Sequence, residues 1–349
     1  MPTINDVAEA AGVSASTVSY VLSGKRSISA ATRARVERAI EQLGYRPHAG
    51  ARALASSRTN VLALMVPLRQ SADVNVIMDF VGAVATRARR HDHDVLLLTQ
   101  DETTGLERVT GGSLVDALIV MDIELDDPRV DVLARLGRPT VLIGVPRDPR
   151  GLSCVDFDFG GAVGTAVEHL AALGHRGIGF VGSSPDAVAR RAGYAVRVRD
   201  GFRAAVAAAG VAGAMSPVEA SLPGARAALA AVRAEVPDLT GLVVHNEGAL
   251  PSVLAVLAEE GTRVPQDVSV VSIEAADASQ HLPGRPTSID LPSLEVGTAA
   301  VDMVMARLEG SVAPETRLVP ATLTDRGTTA PPRRGGRAGT RRVSPSRRR

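Results

Sequence analysis

The chain has 349 residues, of which 45% are apolar and 22% charged, so it can build a proper core and fill one small and one large domain. No apolar run approaches the length needed to cross a membrane, and a single cysteine, Cys154, excludes an intrachain disulfide or a cysteine-based metal cluster. The formal net charge is only +1, and the start, MPTINDVAEA, lacks the basic and apolar blocks of a secretion signal, so the cytoplasm is the expected compartment.

That small net charge hides an asymmetry. Residues 1–58 hold eight basic side chains against four acids, and residues 333–349 hold eight Arg and no acid, which leaves the middle at −11. A basic head on an acidic body suits a protein that presents only its head to DNA, because the head releases counterions on binding while phosphate repels the body.

In chain order, Ile4 to Leu22 reads as two short helices joined by a tight turn. Val7, Ala8 and Ala11 share one face of the first. Gly12 stands where a chain leaving a helix needs positive φ. Ser14 or Ser16 caps the second helix, whose buried face is Val18, Val21 and Leu22. Ala8 is small enough for two helices to cross steeply over a short turn. This is the pattern of a helix-turn-helix, whose second helix enters the DNA major groove. On that helix Ala15, Ser16, Ser19 and Tyr20 are the exposed residues. Ser29 caps a third helix with Val36, Ile40 and Leu43 as its stripe. Gly44 ends it, and Tyr45-Arg46-Pro47 keeps it from resuming. A small, basic stretch, HAGARALASSRTN, follows. It contains Gly50 and is too short for stable isolated helicity.

The run from TINDVAEAAGVSASTVS to YRPHAGARAL resembles the DNA-binding headpiece and hinge of the LacI/GalR family of bacterial repressors. The resemblance implies an all-α helix-turn-helix headpiece over 1–46, a hinge helix or linker over 47–59, and an α/β core of two lobes with parallel sheets, like a periplasmic binding protein, over 60–325. It implies that Ala15, Ser16 and Tyr20 read bases, and that Thr3, Ser14, Thr17 and Lys25 meet phosphates. It further implies that Leu54 wedges into the minor groove at the operator centre, with Ala51 packing beside it. Two departures stand out. Tyr20 sits where Arg is usual, and Arg would read guanine bidentately while Tyr offers one hydroxyl and a ring. His48 replaces the usual Asn.

From Asn60 the chain alternates apolar strands (61–67, 94–99, 117–121, 140–144, 177–182, 242–245 and 268–273) with helices (76–91, 160–173, 199–209, 224–235 and 249–260). Such alternation means parallel sheets covered on both faces. The segment 292–309 is expected to cross back to the first lobe. GIGFVG, residues 177–182, spells G-x-G-x-x-G, but its glycines lie inside a strand instead of between a strand and a helix. No cofactor is therefore expected. A small effector belongs at the carboxyl ends of the strands. The resemblance favours Asp158, Asn246 and Glu274 for it, with one Arg, for which Arg190 and Arg197 both remain open. Glu247 and Ser272-Ile273-Glu274-Ala275 depart from the family pattern there, and 2% aromatics make a stacking platform thin. From Arg326 the chain is Pro, Gly, Ser and Arg and is expected to be disordered.

The expectation is a homodimeric, effector-regulated transcription factor that binds a palindromic double-stranded DNA operator. A sugar-like effector controls it, and no membrane is involved. A sugar-binding transport protein would share the core, but the basic head and the start of the chain argue against it. For an enzyme there is no nucleophile–His–acid grouping, metal-ligand cluster or phosphate loop.

Overall fold

The computed structural model describes residues 2–23, 26–45, 58–69, 73–99, 114–245, 248–275, 285–310 and 312–333. It opens with three helices, α1 (Ile4–Ala11), α2 (Ala15–Ser23) and α3 (Ala30–Leu43). Their shared core is Val7, Ala8, Ala11, Val18, Val21, Val36, Ala39 and Tyr45. Each helix start has a side-chain cap. Thr3 and Asp6 form a reciprocal capping box on α1. The Ser14 hydroxyl accepts from the Thr17 N–H at 3.2 Å, so Ser14, not Ser16, is the cap of α2. Ser29 caps α3. Gly12 and Gly44 both take φ of 62°, as the helix ends require.

Two expected core positions fall outside that core. Leu22 is 37% exposed and Leu43 38% exposed. Each lies at the edge of its helix's apolar stripe, and Ala39, which the stripe left out, is buried in place of Leu43.

Beyond the helices the strands are β1 (Val61–Met65), β2 (Asp94–Leu98), β3 (Ala117–Val120), β4 (Thr140–Ile143), β5 (Ser153–Phe157), β6 (Gly177–Gly182), β7 (Ala212–Ser216), β8 (Gly241–His245), β9 (Ser269–Ala275), β10 (Thr287–Leu291), β11 (Thr316–Val319) and β12 (Leu323–Thr324). The helices among them are α4 (Val74–Arg89), α5 (Pro128–Arg135), α6 (Phe159–Ala172), α7 (Pro185–Ala189), α8 (Gly193–Ala209), α9 (Leu222–Glu235), α10 (Leu250–Glu259) and α11 (Ser293–Glu309). α8 begins six residues ahead of the expected 199, because Gly193, Ala195, Val196 and Val198 already belong to its buried face.

The chain forms two compact units. The first comprises 1–156 and 294–317, the second 157–293 and 318–349. One six-stranded sheet runs β11-β5-β4-β3-β1-β2 and the other β12-β10-β9-β8-β6-β7. The β1–β2, β1–β3, β3–β4 and β4–β5 pairs are parallel, as are β6–β7, β6–β8, β8–β9 and β9–β10; β12 joins β10 antiparallel. β3, β4, β5, β6, β8 and β9 are buried along their length, as strands covered on both faces must be. The late helix α11 returns to the first unit. There Gly297 lets it approach α4 so closely that a Cβ would lie 2.7 Å from the Ala83 Cβ.

The expected tail boundary moves. Residues 326–333 are ordered against the second unit instead of being disordered. Thr328 accepts from the Val270 N–H at 2.9 Å, and Ala330 exchanges hydrogen bonds with the Ser269 hydroxyl at 3.0 and 3.1 Å. The His175 ring lies 3.0 Å from the Ala330 carbonyl. The segment carries little apolar bulk and is held by backbone and side-chain partners far away in the sequence. Residues 334–349 lie outside the described part.

Candidate nucleic-acid interface and effector site

The DNA-facing candidates lie on α2 and its approach. Ser16 is exposed, Ala15 and Tyr20 half-buried, and Ala15 also packs against the head core. The Arg26 guanidinium sits 5.4 Å from the centre of the Tyr20 ring, a cation–π arrangement that orients both side chains. The Ser14 hydroxyl is shared with Ser16 at 2.8 Å and with Thr17 at 2.9 Å. These three hydroxyls thus cluster at the N-terminus of α2, where helix N–H groups and dipole favour phosphate. Thr3 is exposed at the start of α1, its hydroxyl engaged by Asp6. Lys25, Ala51 and Leu54 lie outside the described residues.

The second candidate site draws on residues of the second unit that follow or end strands. Asp158 follows β5 and caps α6, accepting from the Gly161 N–H at 2.9 Å. α8 comes in against the first turn of α6. A Cβ on Gly201 would stand 2.8 Å from the Gly160 Cα, so the two helices touch backbone to backbone. Arg197, one turn before Gly201, is thereby carried to the Asp158 end of α6, its carbonyl oxygen 3.7 Å from where a Gly160 Cβ would be. Arg190 follows α7 and pairs with Asp186 at 3.4 Å. Of the two arginines left open by the sequence, Arg197 is the one whose helix meets Asp158. Glu274, next to last in β9, is 1% exposed. Asn246 lies outside the described residues.

Sequence reasoning missed three side chains. His245 ends β8 and is 8% exposed. Its ring lies 5.6 Å from that of Phe159 and 5.8 Å from that of Tyr194, and 6.3 Å from Phe180. Phe159 and Tyr194 are themselves 5.6 Å apart. Five of the eight Phe and Tyr residues, Phe157, Phe159, Phe180, Phe202 and Tyr194, fall in this unit. The low aromatic content therefore hid a concentrated cluster of rings. Burial lowers the His245 pKa to about 4, so the ring is neutral near pH 7. Its Nδ1 is buried without a hydrogen-bond partner among the described residues. The available signal was position: His245 directly precedes Asn246, and Phe159 directly follows Asp158.

The glycines of GIGFVG lie in β6 and serve packing. A Cβ would come within 2.7 Å of the Asp238 carbonyl at Gly177, 2.5 Å of Leu239 at Gly179, and 2.6 Å of the His245 carbonyl at Gly182. No group of three or more His, Cys, Asp or Glu able to hold a metal occurs among the described residues. No helix among them is long and apolar enough to cross a membrane.

Residues 3–48 match the family of bacterial regulatory proteins, lacI family, and residues 167–329 match the periplasmic binding protein-like domain. The HTH-type transcriptional regulator CelR of Thermobifida fusca is 30% identical over 334 residues, covering 91% of this chain and 95% of that protein. The chain belongs to the LacI family. The HTH-type transcriptional regulator PtxS of Pseudomonas plecoglossicida is 33% identical over 337 residues, 94% of this chain and 95% of that one. Among solved structures, a CelR–cellobiose complex has a TM-score of 0.67 at 27% identity and covers 94% of this chain and 100% of that chain. The lac repressor dimer bound to operator and an anti-inducer has a TM-score of 0.78, covering 94% and 99%; at 24% identity that likeness concerns the fold. As a LacI-family member the protein is a DNA-binding transcriptional regulator with a helix-turn-helix head and a core of periplasmic-binding-protein type.

Proposed function

We propose that the protein is a homodimeric repressor that binds a palindromic operator and is controlled by a small, sugar-like effector. The observation that carries the effector reading is the approach of the Arg197 backbone to the Asp158 end of α6, beside an aromatic group, Phe159, Tyr194 and neutral His245, with Glu274 next to last in β9. Carboxylates and a guanidinium bind hydroxyls, and the rings cover the apolar face of a sugar. Asn246, Asp158, Arg190, Arg197 and Glu274 are the effector candidates, with Arg190 the weaker arginine because it is spent on Asp186. The CelR relative bears cellobiose in its complex, which supports the class of ligand.

In this reading Ala15, Ser16 and Tyr20 meet base edges, Thr3, Ser14, Thr17 and Lys25 meet phosphate, and Ala51 and Leu54 occupy the minor groove. Dimerisation is supported by an edge of the first unit as it stands among the described residues. β2 is the edge strand of its sheet, yet Leu96 and Leu97 on it, and Val74 and Met78 on α4, are exposed. Such an apolar edge calls for a cover, and a second copy supplies it with the two-fold symmetry a palindrome needs. Effector and operator are then two ligands of one two-state protein, each shifting the other's affinity by the same factor.

The test is selection of the purified protein against a random double-stranded DNA pool at near-physiological salt. A recovered palindrome, released by one of a panel of sugars, supports the reading. No motif with or without those sugars, and binding that vanishes as salt rises, overturns it.

A further inference from the structure

The chain enters the first unit through Thr59 and Asn60, just before β1. One carboxylate holds both residues. Asp116, 7% exposed and directly before β3, accepts from the Thr59 N–H at 2.7 Å and the Thr59 hydroxyl at 2.9 Å through Oδ1, and from the Asn60 N–H at 2.8 Å through Oδ2. The Thr59 hydroxyl in turn accepts from the Val61 N–H at 3.2 Å. Asn60 has φ of 56°, a left-handed turn that Asn tolerates better than most residues. Its carbonyl accepts from Asp94 at 2.8 Å, and the Val61 carbonyl accepts from the Asp116 N–H at 2.8 Å. His93, also buried, closes on the same carboxylate with Nε2 3.6 Å from Oδ2.

We propose that Asp116 is a positioning residue for operator binding, acting through Thr59 and Asn60 to fix the direction in which the linker leaves the core. Two successive backbone N–H groups and a hydroxyl on one buried carboxylate leave the chain no swivel at this point. Charge-assisted hydrogen bonds of this kind are shorter and stronger than neutral ones. Both heads of a dimer must reach half-sites at a set spacing, so a free swivel at the root spreads the heads over orientations that DNA binding must then narrow. The inference rests on the DNA-regulatory reading above.

Asp116→Asn keeps the shape but turns an amide NH₂ toward one of the N–H donors. Thr59→Val removes the hydroxyl at constant volume, and Thr59→Ser restores it. The measurements are operator affinity, affinity for an effector from the sugar panel, and thermal unfolding of the full chain. The expected result is operator binding weakened about tenfold or more in Asp116→Asn and less in Thr59→Val. Thr59→Ser should bind as wild type, and effector affinity should stay within twofold throughout. A merely structural role would lower the unfolding temperature and leave operator affinity per folded molecule unchanged; that outcome overturns the proposal. If Asp116→Asn does not fold, the Thr59→Val and Thr59→Ser pair decides by the same criteria. A wild-type protein that selects no operator removes the functional reading itself, and so is distinct from a wild type that binds beside an equally tight Asp116→Asn.

Discussion

His245 makes the second unit sensitive to acid in a window where most side chains are silent. Its folded pKa is about 4 against 6.5 unperturbed, because its ring is buried among aromatic rings. As pH falls below 6.5 the unfolded chain takes up a proton that the folded chain refuses. Stability from this group is therefore complete above about 6.5 and is lost as pH falls toward 4, below which it levels off. A gap of this size amounts to about 3 kcal/mol at most, since one pKa unit is worth about 1.4 kcal/mol. Other groups titrate in the same range, among them His175, whose pKa burial also lowers, so the informative quantity is the difference between wild type and His245→Phe. Phe keeps the ring and removes the titration. Hydrogen exchange of the β8 and β9 amides at several pH values between 4.5 and 7.5 reads local stability where the ring sits. The wild-type curve should fall relative to the variant as pH drops. Parallel curves would refute the burial argument.

Ser14→Ala removes the cap of α2 and should cost about 1 kcal/mol of head stability, weakening operator binding while effector affinity, by titration calorimetry, stays constant. Gly201→Val forces a side chain into the Gly160 backbone and should destabilise by about 1–3 kcal/mol; it should also weaken effector binding by parting Arg197 from Asp158, whereas unchanged effector affinity would count against that site. Tyr20→Arg should move the selected half-site toward guanine at one position, because Arg can donate to two guanine acceptors at once; selection and sequencing of the variant reads the change directly.

What the sequence disclosed was punctuation. Gly12, Ser29 and Gly44 act on their own few residues, so the head's helices were readable from local spacing, and the strands of the core were readable as apolar runs. Which side of a stripe faces inward was less readable. Leu22 and Leu43 fit the period yet sit at its edge, because periodicity gives a face but not the width that neighbours cover. Long-range partners left no trace at all. The order of residues 326–333 depends on Ser269 and Val270. The burial of His245 depends on Phe159 and Tyr194, more than eighty and fifty positions away respectively. The root clamp joins Thr59 to Asp116 across two strands.

The response to salt separates two kinds of proposed DNA contact, a hydroxyl and a lysine. Ser14 and Thr17 share hydroxyl hydrogen bonds at the N-terminus of α2, and Lys25 follows that helix in sequence. A hydroxyl on a phosphate gives a hydrogen bond but displaces no condensed cation, so it adds affinity without adding salt dependence. A lysine that neutralises one phosphate releases counterions and adds about 0.9 to the slope of log affinity against log salt. Thr17→Ala should therefore lower operator affinity at every salt concentration and leave the slope unchanged. Lys25→Ala should flatten the slope by about 0.9 per subunit bound, so its loss of affinity shrinks as salt rises. Titrations of both variants from 50 to 300 mM salt read the two slopes. A Lys25→Ala line parallel to wild type would remove Lys25 from the phosphate contacts, and a flattened Thr17→Ala line would mean that its loss disturbs the placement of charged neighbours.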